Sequence, residues 1–301
     1  MLNNRGSLLI TGLWAMSIFA TMSTSLIFNA SQHMLMMKRE FQAFQAKADF
    51  VFGLNHAAAL IQTDPYPHED SPQDAWFGEM VSPMSSPNAF IGDPFLEKKF
   101  ISMKIEDEES KINLNRASET LLKNFFKIFE ENITVLKGSR KDYVKGIAKL
   151  RSGKTIESLE ELLLMEDFEK EDFEGLKPYL TVYPDQPLIN INTAGPLVLK
   201  ALMESLPGDH GSKQILMARL EEPPRRVFLS QDLRPDLFAE NLKLPKTLEM
   251  SGLVQRFLAA AGTDSETFSI NMKSKSGREA RGIFRSREGQ LRPEVLWWHE
   301  E

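Results

Sequence analysis

Residue types that could do chemistry are present in the sequence, but not at the spacing that a catalytic site needs. The five histidines are far apart, and neither an H-E-x-x-H pair nor a G-x-S-x-G turn occurs. Gly153-Lys154-Thr155 matches the end of a nucleotide-binding loop, but Ala148 stands where that loop needs glycine. Cysteine is absent, which excludes thiol catalysis, disulfides and cysteine-ligated metal sites. We therefore expect a protein that is not an enzyme.

The most distinctive polar residues are two pairs of asparagines in an internal repeat. Ile112-Asn113-Leu114-Asn115-Arg116-Ala117 is echoed 77 residues later by Ile189-Asn190-Ile191-Asn192-Thr193-Ala194. Each copy precedes apolar residues at helical spacing. We expect the second asparagine, or its neighbour, to accept hydrogen bonds from free amides at the start of the following helix. The repeat thus predicts two related helical units, with Asn113, Asn115, Asn190 and Asn192 as their caps.

Other charged clusters are predicted to be solvated. His68-Glu69-Asp70 and Asp74 lie in a proline-rich stretch without a fixed ligand spacing, which favours a loop over a cation site and assigns no metal ligand. Residues 273–287 hold six basic side chains and one acid, a pattern typical of an exposed strand face. The chain has 36 Lys and Arg against 42 Asp and Glu, a net charge of −6, so no nucleic-acid partner is expected.

The elements that must position these residues begin with a long apolar segment. Residues 8–28 are apolar or small, and no Asp, Glu, Lys or Arg occurs from Gly6 to Met37. As a helix, this segment spans about 31 Å, which matches the ~30 Å hydrocarbon core of a bilayer. It is also longer than the ~7–15 apolar residues of a cleaved signal peptide. We expect one membrane-spanning helix, with Arg5 and the amino terminus on the cytoplasmic side.

The remaining segments predict an α+β fold in which a helical region interrupts a sheet. The amino-terminal helix, residues 7–64, is expected to continue beyond the membrane until Asp64-Pro65, because apolar residues recur at three- and four-residue steps. Residues 65–106 are expected to form a loop and a first strand, and residues 107–263 an inserted helical domain. Residues 264–301 alternate in polarity and should return as strands of the same sheet.

Arg5-Gly6-Ser7, placed directly before the apolar run, resembles the type III leader of pilins and pseudopilins. Prepilin peptidase cuts such leaders after the glycine, so the resemblance implies a leader of residues 1–6 and processing between Gly6 and Ser7. Most pilins have glutamate at mature position five. That position is Thr11 here, as in the K class of pseudopilins, where this glutamate is lacking.

The order of the motifs resembles the K class of minor pseudopilins of type II secretion, the general secretion pathway protein K family. The matching motifs are the Arg5-Gly6 leader, the spanning helix, the strand end at 105–108, both asparagine repeats, the capping box Ser158-Leu159-Glu160-Glu161 and residues 178–184. The resemblance implies a pilin-like long amino-terminal helix packed on a small antiparallel sheet. It also implies a large inserted helical domain that contains both helix-hairpin-type repeats.

The resemblance implies a function as well as a fold. Members of this class are anchored in the inner membrane, with a periplasmic body, and help to initiate the pseudopilus at its tip. The implied partners are the minor pseudopilins I and J, other pseudopilins, prepilin peptidase and inner-membrane lipid. Family members can bind calcium, although no calcium ligand is assigned to a residue here.

An alternative is a membrane-anchored helix-hairpin-helix protein that binds DNA for uptake. Hairpins that bind a phosphate backbone have a glycine-rich turn and basic surroundings. Here the turn, residues 165–168, has no glycine, and residues 156–176 contain nine acids and one base. Such a segment repels phosphates, so the sequence favours the pseudopilin over this alternative.

Overall fold

The computed structural model describes residues 4–63, 70–74, 76–79, 100–134, 136–166, 168–183, 188–223, 226–275, 277–287, 290 and 292–300. The chain forms two compact units, Met1–Phe52 and Gly53–Glu301. The helices are α1 (Asn4–Gln62), α2 (Glu119–Asn132), α3 (Arg140–Gly153), α4 (Lys170–Leu176), α5 (Pro196–Ser205), α6 (His210–Leu220), α7 (Pro235–Asn241) and α8 (Leu248–Leu258). The strands are β1 (Gly78–Glu79), β2 (Phe100–Asp107), β3 (Ile112–Asn113), β4 (Leu180–Thr181), β5 (Ile189–Asn190), β6 (Ala261–Gly262), β7 (Thr267–Ser274), β8 (Glu279–Arg285) and β9 (Glu294–Glu300).

The first unit consists mainly of α1, and the large apolar side chains in the first half of this helix face outward. Every large apolar side chain from Leu9 to Phe28 is at least 54% exposed. Among the described residues, α1 is the one helix long and apolar enough to cross a membrane. Several hydroxyls within it bond to the helix's own carbonyls, as Ser17 does to Leu13 at 3.0 Å and Thr24 to Ala20 at 2.8 Å. These polar groups are therefore satisfied without water, as a lipid environment requires.

The second unit contains an antiparallel sheet with the strand order β1-β2-β7-β8-β9. β2 and β7 pair over almost their full lengths, with Ile105 opposite Ile270. One face of the sheet is apolar, because alternate residues of β7 and β8, such as Phe268 and Phe284, are fully buried. Period-two burial of this kind is what a sheet with one covered face requires.

The carboxyl end of α1, from Gly53 onwards, belongs to the second unit and approaches this sheet closely. A Cβ atom on Gly53 would lie 2.5 Å from Met272 Sδ and 3.0 Å from Phe100 Cζ. Ala57 and Ala58 in the following turn are also buried. Small residues on this face of the helix let the backbone lie against the sheet.

The asparagine repeats begin two modules of similar construction. In the first, residues 112–182, β3 pairs in parallel with β4, which closes the module. In the second, residues 189–263, β5 pairs in parallel with β6 in the same way. The leading helices of the two modules, α2 and α5, pack against each other, and one continuous apolar core extends through both modules.

The predicted fold class is confirmed, since a long amino-terminal helix, a small antiparallel sheet and a helical region between its strands are all present. β2 ends one residue beyond residues 65–106, for which a loop and a first strand are predicted, and β7, β8 and β9 all lie within residues 264–301. The inserted modules and the sheet belong to one compact unit. Most of the loop that is predicted to precede the first strand lies outside the described residues.

Candidate functional site

In the first module, Asn115 joins three separate segments of backbone. Its Nδ2 donates to the carbonyls of Ile156, at 2.9 Å, and Val182, at 3.1 Å, while its Oδ1 accepts from the Ile156 amide at 2.9 Å. Asn113 makes the preceding turn, in which its Oδ1 accepts from the Asn115 amide at 2.8 Å. The side chain of Asn115 therefore pairs with both backbone groups of Ile156, as a residue of a neighbouring strand would do.

The second module repeats this geometry. Asn190 Oδ1 accepts from the Asn192 amide at 3.0 Å. Asn192 then binds both backbone groups of Phe228, with Nδ2 to the carbonyl at 2.9 Å and Oδ1 from the amide at 2.8 Å. Asn192 is buried, so these bonds satisfy groups that water does not reach.

The predicted capping role of the asparagines is wrong. Ser118 caps α2 by accepting from the Leu121 amide at 3.1 Å, and the residue before α5, Gly195, has no side chain to cap that helix. The asparagines bind distant loops instead, because their turns direct the amide groups away from the following helix. The partners Ile156 and Phe228 contribute only backbone atoms, so their side-chain types carry no signal of this role in the sequence.

The predicted capping box at Ser158 begins a short 3-10 helix, Leu159–Leu164, in which Glu161 Oε1 accepts from the Ser158 amide at 3.4 Å.

The acidic run Asp107-Glu108-Glu109, at the end of β2, joins both modules to the sheet. We call it the acidic junction. Asp107 is almost fully buried, and its Oδ2 accepts from Thr193 Oγ1 at 2.5 Å, Ser265 Oγ at 2.8 Å and Asn190 Nδ2 at 3.1 Å. Burial raises the pKa of Asp107 to about 6, although the hydrogen bonds from Thr193 and Ser265 partly oppose the rise.

The other two acids of the junction bind the first module and the start of β7. Glu108 accepts from Thr181 Oγ1 at 2.6 Å and forms an ion pair with Lys111 at 2.5 Å. Glu109 Oε1 accepts from the amides of Glu266, at 2.8 Å, and Thr267, at 3.1 Å. Burial, together with the nearby Asp107 carboxylate, raises the pKa of Glu109 to about 8. Sequence reasoning identified the strand end here but not the junction, since its partners are up to 158 residues away.

The described residues do not fit a calcium site. Calcium needs about six to eight oxygen ligands, mostly from carboxylates and carbonyls. No group of three or more His, Asp or Glu side chains within the described ranges is placed to hold a metal ion. At the acidic junction, both oxygens of Asp107 accept hydrogen bonds from groups of the chain itself. Asp74 is likewise occupied by the amide of Ser71 at 2.6 Å. His68 and Glu69 lie outside the described residues.

A groove of about 500 Å³ lies between the sheet and the first module. Its sheet side includes Asn271, Ile283 and Trp297, and its module side includes Pro178 and Tyr183. Its lining also includes charged side chains of both signs, so the groove has neither the strong positive field of a phosphate site nor, among the described residues, a cluster of ligands for a metal.

The predicted processing residues lie at the start of α1. Arg5, Gly6 and Ser7 fall within its first two turns, and their side chains are outside the described set. Thr11 follows one turn later with an exposed side chain. These residues belong to the first compact unit, and the asparagine repeats belong to the second.

Comparison with known proteins identifies the fold. No family model matches the chain, and no curated protein matches its sequence. Among solved structures, the chain is similar to GspK in the crystal structure of the GspK-GspI-GspJ complex from the enterotoxigenic Escherichia coli Type 2 Secretion System. The TM-score is 0.60 at 13% sequence identity, and the match covers 88% of this chain and 98% of that chain. The chain therefore has the fold of GspK.

Proposed function

We propose that the chain is a minor pseudopilin of a type II secretion system, corresponding to the K class. The observation that carries this proposal is the extent of the structural likeness, which covers 98% of the GspK chain and 88% of this one. A shared sheet alone would support only a general pilin-like fold. A likeness that covers 88% of the chain must also include most of the inserted modules, which supports a subunit of the same kind as GspK.

The exposed apolar surface of α1 supports an inner-membrane anchor. A helix with 21 apolar or small residues and outward-facing side chains is stable in lipid and unstable in water. Arg5 lies directly before the apolar run, which supports an amino terminus in the cytoplasm and a body in the periplasm. Prepilin peptidase would then remove residues 1–6.

The two modules and Thr11 support a position at the pseudopilus tip. The modules add about 150 residues between β2 and β7, which gives the body a bulk that would hinder another subunit from stacking above it. Glutamate at mature position five neutralises the amino terminus of a neighbouring subunit within the membrane, where an unpaired charge is costly. A first subunit has no such neighbour above it, so Thr11 is consistent with initiation of the pseudopilus rather than elongation.

The proposed partners are minor pseudopilins of the I and J classes, followed by the other pseudopilins. The solved relative is in a complex with GspI and GspJ. DNA binding is less well supported, because the turn between the 3-10 helix Leu159–Leu164 and α4 lacks glycine and is flanked by acids.

Co-expression with the I- and J-class pseudopilins of the same secretion system tests the proposal. We expect a stable 1:1:1 complex by size-exclusion chromatography with light scattering, and loss of protein export when the gene for this chain is deleted. A chain that remains separate from both partners, in cells that export normally without it, would contradict the proposal. Salt-sensitive binding of duplex DNA at micromolar protein would instead favour the DNA-uptake alternative.

A further inference from the structure

The groove between the sheet and the first module has the outer face of the sheet as its floor. Side chains alternate between the two faces of a strand, so Phe268 and Ile270 of β7 are buried on the inner face while Ser269 and Asn271 line the groove. The groove volume of about 500 Å³ lies within the ~300–1,000 Å³ range of pockets that hold small ligands. The groove can therefore hold a ligand of a few amino-acid residues.

The floor of the groove presents hydrogen-bond donors that the chain itself does not engage. Asn271 lies directly opposite Arg281 of β8, and neither side chain has a hydrogen bond or an ion pair with any described residue. The Ser269 hydroxyl is shielded from solvent and likewise lacks a partner within the described ranges. A guanidinium and an amide side by side suit a carboxylate, whose two oxygens accept several hydrogen bonds.

An apolar surface lies beside these donors. Ser269, Ile283 and Trp297 form one row across β7, β8 and β9, since each lies directly opposite the next. Ile283 and Trp297 both line the groove and are only partly buried. A ligand with an apolar side chain next to its carboxylate would cover this surface and remove it from water.

The wall opposite this floor belongs to the first module and is acidic. It includes Glu157, Glu160 and Glu174. Glu160 pairs with Lys177 at 3.6 Å, whereas Glu157 and Glu174 are exposed and have no ion pair in the described part of the chain. The occupant must therefore bring a cation for this wall as well as an anion for Arg281. This requirement disfavours phosphates and nucleic acids and favours a peptide that carries both charges.

We propose that the groove binds the carboxyl terminus of another protein chain, with an apolar last residue and a basic residue shortly before it. The terminal carboxylate accepts from Arg281 and Asn271, the last side chain packs on Ile283 and Trp297, and the basic side chain lies beside the acids of the module wall. A chain end suits the groove because one residue supplies both the carboxylate and the apolar side chain, and only a few residues fit. This inference goes beyond the proposed function and does not depend on it.

Binding of synthetic peptides to the full chain in detergent micelles tests this proposal. The probe is a tetrapeptide of glycine, lysine, glycine and leucine, with a fluorophore on its amino end and a free carboxyl terminus. Fluorescence anisotropy measures its affinity. We expect the same peptide with an amidated carboxyl terminus to bind at least about tenfold more weakly. A peptide with glutamate in place of lysine should be weakened by a similar factor, because Glu157 and Glu174 repel it.

The variant R281A assigns the effect to the floor of the groove. It should weaken binding of the free-carboxylate peptide at least about tenfold and remove the difference between the free and amidated peptides. The Arg281 side chain is exposed and has no ion pair with any described residue, so its loss should leave the fold intact. The control R278A removes the same charge next to β8 but outside the groove lining, and should keep the full preference for the free carboxylate.

Equal binding of the free and amidated peptides, or binding of neither, would overturn the proposal. An effect of R278A as large as that of R281A would also overturn it. The comparison of the two peptides on the unmodified chain is sufficient even if R281A does not fold. The measurement needs no secretion system, so its failure leaves the complex with I- and J-class pseudopilins as a separate result.

Discussion

Asn115 and Asn192 each close one module by binding a loop that is 41 or 36 residues further along the chain. A side-chain amide is suited to this because it has both donors and an acceptor, and so can pair with the N–H and the carbonyl of one residue at once. An apolar side chain can form none of these hydrogen bonds. A carboxylate can accept from the backbone amide but cannot donate to the carbonyls.

Replacement of either asparagine by alanine should destabilise the fold. N115A leaves the amide of Ile156 and the carbonyls of Ile156 and Val182 without their partner, and N192A does the same for Phe228. We expect a loss of about 2–4 kcal/mol for each variant. Thermal and chemical unfolding of the full chain in micelles measures it. The control N132A removes a side chain on the exposed end of α2 and should change stability by less than about 0.5 kcal/mol. An equal effect of all three variants would contradict this account.

The acidic junction predicts that stability changes with pH. Burial raises the pKa of Glu109 from its ordinary 4.5 to about 8, so the folded chain holds this proton more tightly than the unfolded chain. The resulting stabilisation is complete below pH 4.5 and decreases as the pH rises towards 8. Asp107, with its pKa raised to about 6, adds to the same trend at lower pH.

The variant E109Q isolates the contribution of Glu109. Glutamine keeps an oxygen to accept from the amides of Glu266 and Thr267 but cannot ionise. We expect E109Q to be more stable than the unmodified chain at pH 8, by on the order of a few kcal/mol, and similar to it near pH 5. Unfolding free energies across this range measure the difference. The exposed control E131Q should retain the full pH dependence, and an unchanged slope in E109Q would refute the assignment.

At the scale of elements, the close approach of α1 to the sheet depends on Gly53. Replacement by leucine would push a side chain into Met272 and Phe100, both of which are buried. We expect G53L to lose about 1–3 kcal/mol through overpacking, measured by unfolding in micelles. Gly153, at the end of α3, has open space around it, so G153A should be neutral or slightly stabilising. Equal stability of the two variants would show that the helix does not lie tightly on the sheet.

The long elements were predictable from the sequence and the short ones were not. α1, β2, β7, β8 and β9 are long enough for their apolar spacing to reveal their type and approximate bounds. The two-residue strands β3 to β6 carry no periodicity, and their pairing depends on the closure of each module over about 70 residues. At the residue level, the repeat located Asn115 and Asn192 correctly but not their partners, because loops that contribute only backbone atoms leave no pattern in the sequence.

At the scale of the whole molecule, two copies of one module share a single apolar core and are joined to the sheet by the acidic junction. The inserted region and the sheet belong to one compact unit. The sequence identity to GspK is only 13%, yet the order of leader, helix, strand and repeats is enough to indicate the same fold.

The central claim is that the chain is a processed pseudopilin, and the most direct test is the mass of the intact protein extracted from membranes with and without prepilin peptidase. The account predicts a chain that begins at Ser7 when the peptidase is present and at Met1 when it is absent. A chain that begins at Met1 in both cases would contradict it and leave a plain membrane anchor. Cleavage near Ala30 in both cases would also contradict it, since the spanning helix would then be a removed signal peptide.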